Sequence, residues 1–333
     1  TNIYGDEVQA NLTTVANGLM ASPLVPDNLK TQLQGALDNG LVPNSNVSRT
    51  GFIERDLVDY NTKSFKTNLA LHYRLNDKME AIGQFNYGYG TTVYTGTGRY
   101  SLRNFNLAQY KLELRGDNFT IRGYTTQERS GQSYTAGLAA VAMLNSVSPH
   151  ANWFGEYLQG YLGGKLTGAP DAAAHTAARS YADRNLPAPG TAEYNALLDT
   201  YREKDIVNGG GAFLEKTNMY HAEGVYNFKN QVTFMDLLVG ANVRQYQLRS
   251  NGTLFADTKD GRDGSIPINE YGGFVQAAKA VFDGHLKLTG SVRYDKNENF
   301  EGQFSPRLSA VTSFGSSNIR LSVQQGFRIP TTQ

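Results

Sequence analysis

The sequence contains no cysteine, which excludes a disulfide framework, a thiolate metal site and a cysteine nucleophile. It also lacks a long apolar run. The longest, AGLAAVAML at 136–144, falls far short of the about 20 residues that a membrane-crossing helix needs. Charge of one sign is missing too: Lys+Arg 31 against Asp+Glu 30 leave a net charge of +1, so no nucleic acid or other polyanion is called for as a partner. The opening TNIYGDEVQANL has neither the basic start nor the apolar centre of a signal peptide. No G-x-S-x-G, phosphate loop or dinucleotide fingerprint occurs. The five histidines, His72, His150, His175, His221 and His285, show no metal-site spacing. Neither an enzyme nor a cofactor is expected. These absences do not argue against a membrane protein of another kind, because a barrel strand shows lipid only every second residue and can be polar on average.

What is present is glycine (35), tyrosine (20) and two periodicities. Over 1–63 the period is helical: Val8, Leu12, Val15 and Leu19 fall on one face. A second helix is expected from Asp27, after Pro26 and before Gly40, with Leu29, Leu33 and Leu37 on its apolar side. From residue 64 the period is two. In SFKTNLALHYRL, Phe65, Thr67, Leu69, Leu71, Tyr73 and Leu75 face one way, and Lys66, Asn68, His72 and Arg74 the other. The turn NDK leads into MEAIGQFNYGY, and the unit recurs with turns at GDN, KNQ, DGH and GSSN. Ten strands in five hairpins are predicted.

Between hairpins lie GTTVYTGTG, residues 131–213, residues 250–268 and a short FEG link. Short turns on one side and longer loops on the other, strands that exceed ten residues, and aromatics near strand ends (among them Tyr73, Phe85, Phe119, Phe228, Phe282, Tyr294, Phe304, Phe314 and Phe327) are the pattern of an outer-membrane barrel. The predicted fold class is therefore all-β: a transmembrane antiparallel β-barrel with helical insertions in outer loops. Residues 1–63 read as an outer loop with short helices, 64–134 as strands, 135–213 as a long helical extracellular loop, and 214–333 as strands. With five hairpins, both ends fall on the long-loop side. The simplest expectation is one further strand before residue 1 and more after residue 333.

Four stretches carry a resemblance to the TonB-dependent outer-membrane receptors of the Bacteroidetes type: YGDEV at 4–8, RTGFIERDLVDYNTKSFKTNLALHYRLND at 49–77, GTTVYTGTGRYSLRNFNLAQYKLELRGDNFTIRGYTTQERSGQSY at 90–134, and SVRYDKNENFEGQFSPRLSAV with GFRIPTTQ. The resemblance implies a bacterial outer-membrane location and lipid contact. It also implies import of a siderophore, vitamin, oligosaccharide or peptide, driven by a TonB-type complex through a plug domain, in a barrel of about 22 strands. Neither plug nor partner-binding segment is recognisable here, so the first part of such a barrel is expected. A surface lipoprotein or a larger envelope complex is a further partner to consider. Two alternatives remain: a complete ten-stranded barrel protease, and an adhesin-like or structural barrel.

Candidate site residues follow from this frame. The polar register holds Lys66, Arg74, Lys111, Glu113, Arg122, Arg293, Asp295, Arg307, Arg320 and Arg328, charges that would line the wall and face a plug. His72 and His221 share that register as wall residues. In 131–213, ANWFGEYLQGYLGG and GTAEYNALLDTYREK read as short helices. Trp153, Phe154, Tyr157 and Tyr161 there are either flat surfaces for a ligand or the small core of a helical cap. DTKDGRDG at 257–264 offers Asp257, Asp260 and Asp263 as weak Ca²⁺ candidates, set against ordinary Asp/Gly turn chemistry. RGD at 115–117 falls in a turn, and NFT and NGT are chance sequons.

Overall fold

The computed structural model describes residues 2–261 and 264–329. The chain begins with β1 (Ile3–Tyr4), β2 (Gln9–Asn11), helices α1 (Leu12–Ala21) and α2 (Asp27–Asp38), β3 (Asn46–Ser48), β4 (Phe52–Ile53) and the short α3 (Glu54–Leu57). Long strands follow: β5 (Lys63–Asn76), β6 (Met79–Thr95), β7 (Arg99–Gly116) and β8 (Phe119–Arg129). Next come β9 (Tyr134–Thr135) and helices α4 (Ala136–Val147), α5 (His150–Leu166), α6 (Asp171–Ala182) and α7 (Ala192–Glu203). The chain then returns to strands β10 (Asn218–Asn227), β11 (Asp236–Leu248), β12 (Ile266–Val281), β13 (Leu286–Asn297), β14 (Gln303–Phe314) and β15 (Ser317–Gln324).

These elements form two compact units. One comprises Thr1–Thr62, Thr91–Arg103 and Gln132–Phe213, the other Lys63–Gly90, Asn104–Gly131 and Leu214–Gln333. The second is an antiparallel meander. Its ten long strands pair in chain order from β5 to β15, and β8 pairs directly with β10 across the helical insertion, Phe119 opposite Tyr226 and Gln127 opposite Asn218. The sheet is not closed: β5 and β15 are its two edges among the described residues.

Alternation does what the sequence expects of it. Leu69, Leu71 and Tyr73 on β5 are 67%, 72% and 66% exposed. So are their counterparts on neighbouring strands, including Leu112, Ile121, Val243, Leu308, Leu321 and Val323. A contiguous row of exposed apolar side chains of this kind marks a surface that meets a partner or a membrane. Gly240 lies directly opposite Phe274, whose ring occupies the space that a Cβ at 240 would fill, so glycine lets an aromatic lie flat along the strand pair.

The helical unit has the opposite character. One cluster gathers Leu12, Ala16, Leu33, Trp153, Phe154, Tyr157, Leu158 and Tyr161, and a second gathers Phe52, Leu57, Tyr134, Met143, Leu144, Tyr194 and Leu198. Asn11 caps α1, accepting from the Thr13 and Thr14 amides. Helix α5 approaches α6 closely because Gly160 and Gly164 face Ala178 and Ala174; a Cβ on Gly160 would stand 2.8 Å from Ala178 Cα.

Several sequence expectations are corrected. Val8 precedes α1, which starts at Leu12, where Asn11 can cap it. The expected loop GTTVYTGTG is largely strand, since β6 runs to Thr95 and β7 resumes at Arg99; its threonines, valine and tyrosine favour the extended backbone, leaving Gly96–Gly98 as the turn. Residues 232–235, read as strand, lie outside β11. The stretch 131–213 holds four α-helices and a short 3₁₀ helix at Ile206–Asn208 rather than two helices. Alternation through 325–329 does not continue the last strand, which ends at Gln324; Pro330 lies outside the described residues.

Candidate functional site

The polar face of the sheet is built by register. One row of directly opposed residues runs Lys111, Tyr124, His221, Arg244, Glu270, Asn297 across β7 to β13. The next row runs Glu113, Arg122, Glu223, Asn242, Gly272, Asp295. Residues opposed across strands stand within side-chain reach of their neighbours, and here they form a continuous polar belt. Glu113 takes Lys111 Nζ at 3.2 Å and Arg115 at 2.6 Å. Arg122 meets Glu223 at 2.6 Å. Arg244 Nε donates to His221 Nδ1 at 3.2 Å, which leaves the proton on Nε2, 2.9 Å from Glu223. Arg244 also reaches Glu270 at 3.2 Å, and Asn297 donates to Glu270 at 2.9 Å. Arg293 meets Asp295 at 2.5 Å and donates to Asn242 at 2.6 Å.

Lys66 and Arg74 share one face of β5 with Asn68 and His72. Asn68 bonds to Asn86, which donates to Gln109 at 2.9 Å, and His72 stands 3.0 Å from Glu80. Arg307 stands opposite Ser291 and Gln324, and Arg320 opposite Val311, so both share the face of Arg293. Arg328 does not: it lies beyond Gln324, where no strand register places it. Glu80, Arg115, Glu223, Arg244 and Glu270 belong to the belt and were absent from the sequence-based set. The same period-two count that placed His221 would have found Glu223 and Arg244.

The four aromatics of the helical unit are buried: Trp153, Phe154, Tyr157 and Tyr161 are 1%, 5%, 1% and 2% exposed. Trp153 Nε1 donates to Asp183 at 2.8 Å, and the Arg49 and Arg179 guanidinium carbons lie 5.4 and 5.8 Å from its ring. Burial lowers Arg49 to about 10, against the pull of Asp183. Burial, then the adjacent Arg49, also hold His150 below the usual histidine range. These rings are core, and they present no surface to a ligand.

Asp257 is fully buried. Its carboxylate accepts from the Ser250 amide and hydroxyl at 2.7 and 2.9 Å and from the Asn251 and Gly252 amides at 2.9 and 2.7 Å. Burial pushes this carboxyl up, but the Ser250, Gly252 and Asn251 donors outweigh it and hold it below the ordinary range. Its lone pairs close a loop, so it is not available as a Ca²⁺ ligand. Asp260 is exposed with φ 56°, and Asp263 lies outside the described residues.

A second buried carboxylate organises the helical unit. Glu54 accepts from Asn2 at 2.7 Å, Tyr60 at 2.6 Å, Tyr4 at 3.2 Å and Arg99 Nε at 2.9 Å. Burial raises its pKa, yet the hydrogen bonds from Tyr60 and Asn2 and the charge of Arg99 bring it below the ordinary glutamate value.

No protein-family model matches the chain, and no curated protein matches it either. Solved structures do. A double mutant of the ferric enterobactin receptor PfeA of Pseudomonas aeruginosa aligns with TM-score 0.50 and 13% identity, over 85% of this chain and 36% of the receptor. The siderophore receptor PirA of Pseudomonas aeruginosa aligns with TM-score 0.47 and 10% identity, over 81% of this chain and 34% of its own. The FrpB iron transporter of Neisseria meningitidis aligns with TM-score 0.40 and 10% identity, over 76% and 33%. The likeness to PfeA shows the fold: a long-stranded antiparallel sheet of the kind in that receptor. The chain spans about a third of the length of these structures.

Proposed function

We propose that this chain forms part of the barrel wall and outer loops of a TonB-dependent receptor in a bacterial outer membrane, importing a nutrient ligand. The observation that carries the reading is the division of one sheet into an exposed apolar face and an ion-paired polar face. A two-sided sheet of this kind is stable where one side meets hydrocarbon and the other a polar lumen. The fold of PfeA, described as a ferric enterobactin receptor, supports it.

In this reading the apolar face contacts outer-membrane lipid. The belt around Arg122, Glu223, Arg244 and Glu270 faces a plug that a TonB-type complex pulls upon, and residues 135–213 are a long extracellular loop. A surface lipoprotein is a further partner for that loop. The chain supplies wall and recognition surface and carries out no bond chemistry. The test is fractionation followed by uptake. The protein should sediment with outer membranes, run faster unheated than boiled on a denaturing gel, and support ligand-limited growth only with an intact TonB system. Recovery in the soluble fraction, or growth independent of TonB, refutes the proposal.

A further inference from the structure

At the end of the polar face nearest the 249–265 loop lies a cavity of about 680 Å³, within the range that holds a small organic ligand. Its apolar lining includes Tyr246, Leu248, Phe255, Ile268 and Phe300. The loop holds Phe255 in place: its amide donates to Ser250 Oγ at 2.8 Å, and Ser250 is gripped by Asp257. The charges that line the cavity are Arg244, Arg293 and Lys296 against Glu215, Glu270 and Asp295, three of each sign. The two arginines are already neutralised within the wall, Arg244 by Glu270 at 3.2 Å and Arg293 by Asp295 at 2.5 Å, while Lys296 Nζ donates to the Phe300 carbonyl at 2.6 Å. Between them stand amide and hydroxyl groups on Asn242, Asn297, Asn299 and Thr217.

We propose that this cavity binds an uncharged, hydroxyl-rich ligand with an apolar face, the chemistry of a small oligosaccharide, and discriminates against a polyanionic ferric chelate. The proposal rests on the receptor reading above and names its ligand class. A polyanion would have to strip each arginine of its carboxylate and leave Glu270 and Asp295 facing it, and like-charge juxtaposition and an unpaired carboxylate are both costly. A sugar needs no such exchange. Asn297 is spent on Glu270 and the Asn299 amide, but the Asn299 side chain and the amide protons of Asn242, whose oxygen takes Arg293, match its hydroxyls. The C–H face of its ring packs on Tyr246 and Phe300, as apolar ligand surface packs on aromatic rings elsewhere.

The test is isothermal titration of the detergent-purified protein with gluco-, xylo-, manno- and galacto-hexasaccharides, and with ferric enterobactin. At least one hexasaccharide is expected to bind with a Kd below about 1 mM, and ferric enterobactin more weakly. Tyr246→Ala and Asn242→Asp should each weaken sugar binding by about tenfold, while Lys165→Gln in the helical unit leaves it unchanged. If Tyr246→Ala fails to give the folded band on an unheated gel, Asn242→Asp alone decides. Tighter binding of ferric enterobactin, no binding of any hexasaccharide, or sugar binding indifferent to the substitutions overturns the proposal. Ferric enterobactin binding tighter than any hexasaccharide, by a protein that does sediment with outer membranes, defeats the ligand class alone; absence from that fraction defeats the receptor reading, whatever the titration shows.

Discussion

The helical unit and the sheet solve the hydrophobic problem in opposite ways. Trp153, Tyr157 and Leu158 in the first are about as buried as side chains become, while Leu71, Leu112 and Leu321 in the second are 72%, 73% and 71% exposed. Polar groups reverse the pattern. In the helical unit the buried charges are few and locally partnered, Glu54 by Arg99 and three neutral donors and Arg49 by the Ser148 carbonyl, whereas the sheet spreads its charges over one whole face. Water is thus the solvent that the first unit excludes from its interior. The second separates an apolar face from a polar one, the division that the proposed receptor reading assigns to lipid and to a polar lumen.

The sharpest way to break this contrast is to exchange treatments. Trp153→Ala should cost about 3–5 kcal/mol through lost burial and a cavity, seen as rapid proteolysis within 132–213 with the sheet's strand signal in circular dichroism retained. Leu112→Arg should cost about 2–4 kcal/mol when the protein is folded into lipid vesicles, read from the denaturant midpoint; Leu112→Ala should cost less than Trp153→Ala, because no packed cavity is left. If Leu112→Arg is silent in vesicles, the apolar face does not meet hydrocarbon. Asp257→Ala should cost about 1–3 kcal/mol by stranding several donors, with hydrogen exchange rising at Ser250, Asn251 and Gly252.

The smallest effect concerns acid. Glu54 has a lowered folded pKa, so its contribution is present above the ordinary glutamate value and is lost as pH falls through the folded one. Protease resistance of the helical unit should therefore decline below about pH 4, and Glu54→Gln should flatten that decline. A variant retaining the full acid transition would mean that other carboxylates govern it.

Much of the sheet was legible because period two is a local property. Each of the ten strands announces itself by alternation, and short polar turns such as Asp77–Lys78 and Asp117–Asn118 mark the reversals. Helix α2 was legible from Pro26, Asp27 and Gly40 for the same reason. The reading failed where local signals compete. GTTVYTGTG carries both turn glycines and strand-forming residues, and GFRI at 326–329 continues the alternation beyond the last strand, which ends at Gln324. The candidate site was half legible: alternation assigned Lys111, Glu113, Arg122, Arg293 and Asp295 to one face, but it could not say that Arg122 meets Glu223 or that Arg244 meets Glu270.

By itself, then, the sequence determined which residues alternate, which face of each strand is polar, and that no cysteine chemistry is available. Backbone geometry sends neighbouring side chains to opposite sides whatever the strand's partner. Only the tertiary structure decided which strands lie side by side, which charges neutralise one another, and that Trp153 and its neighbours are core rather than surface. Those outcomes depend on register and on contacts between residues distant in the chain, such as Trp153 with Asp183 and Glu54 with Arg99, for which no local periodicity carries a signal.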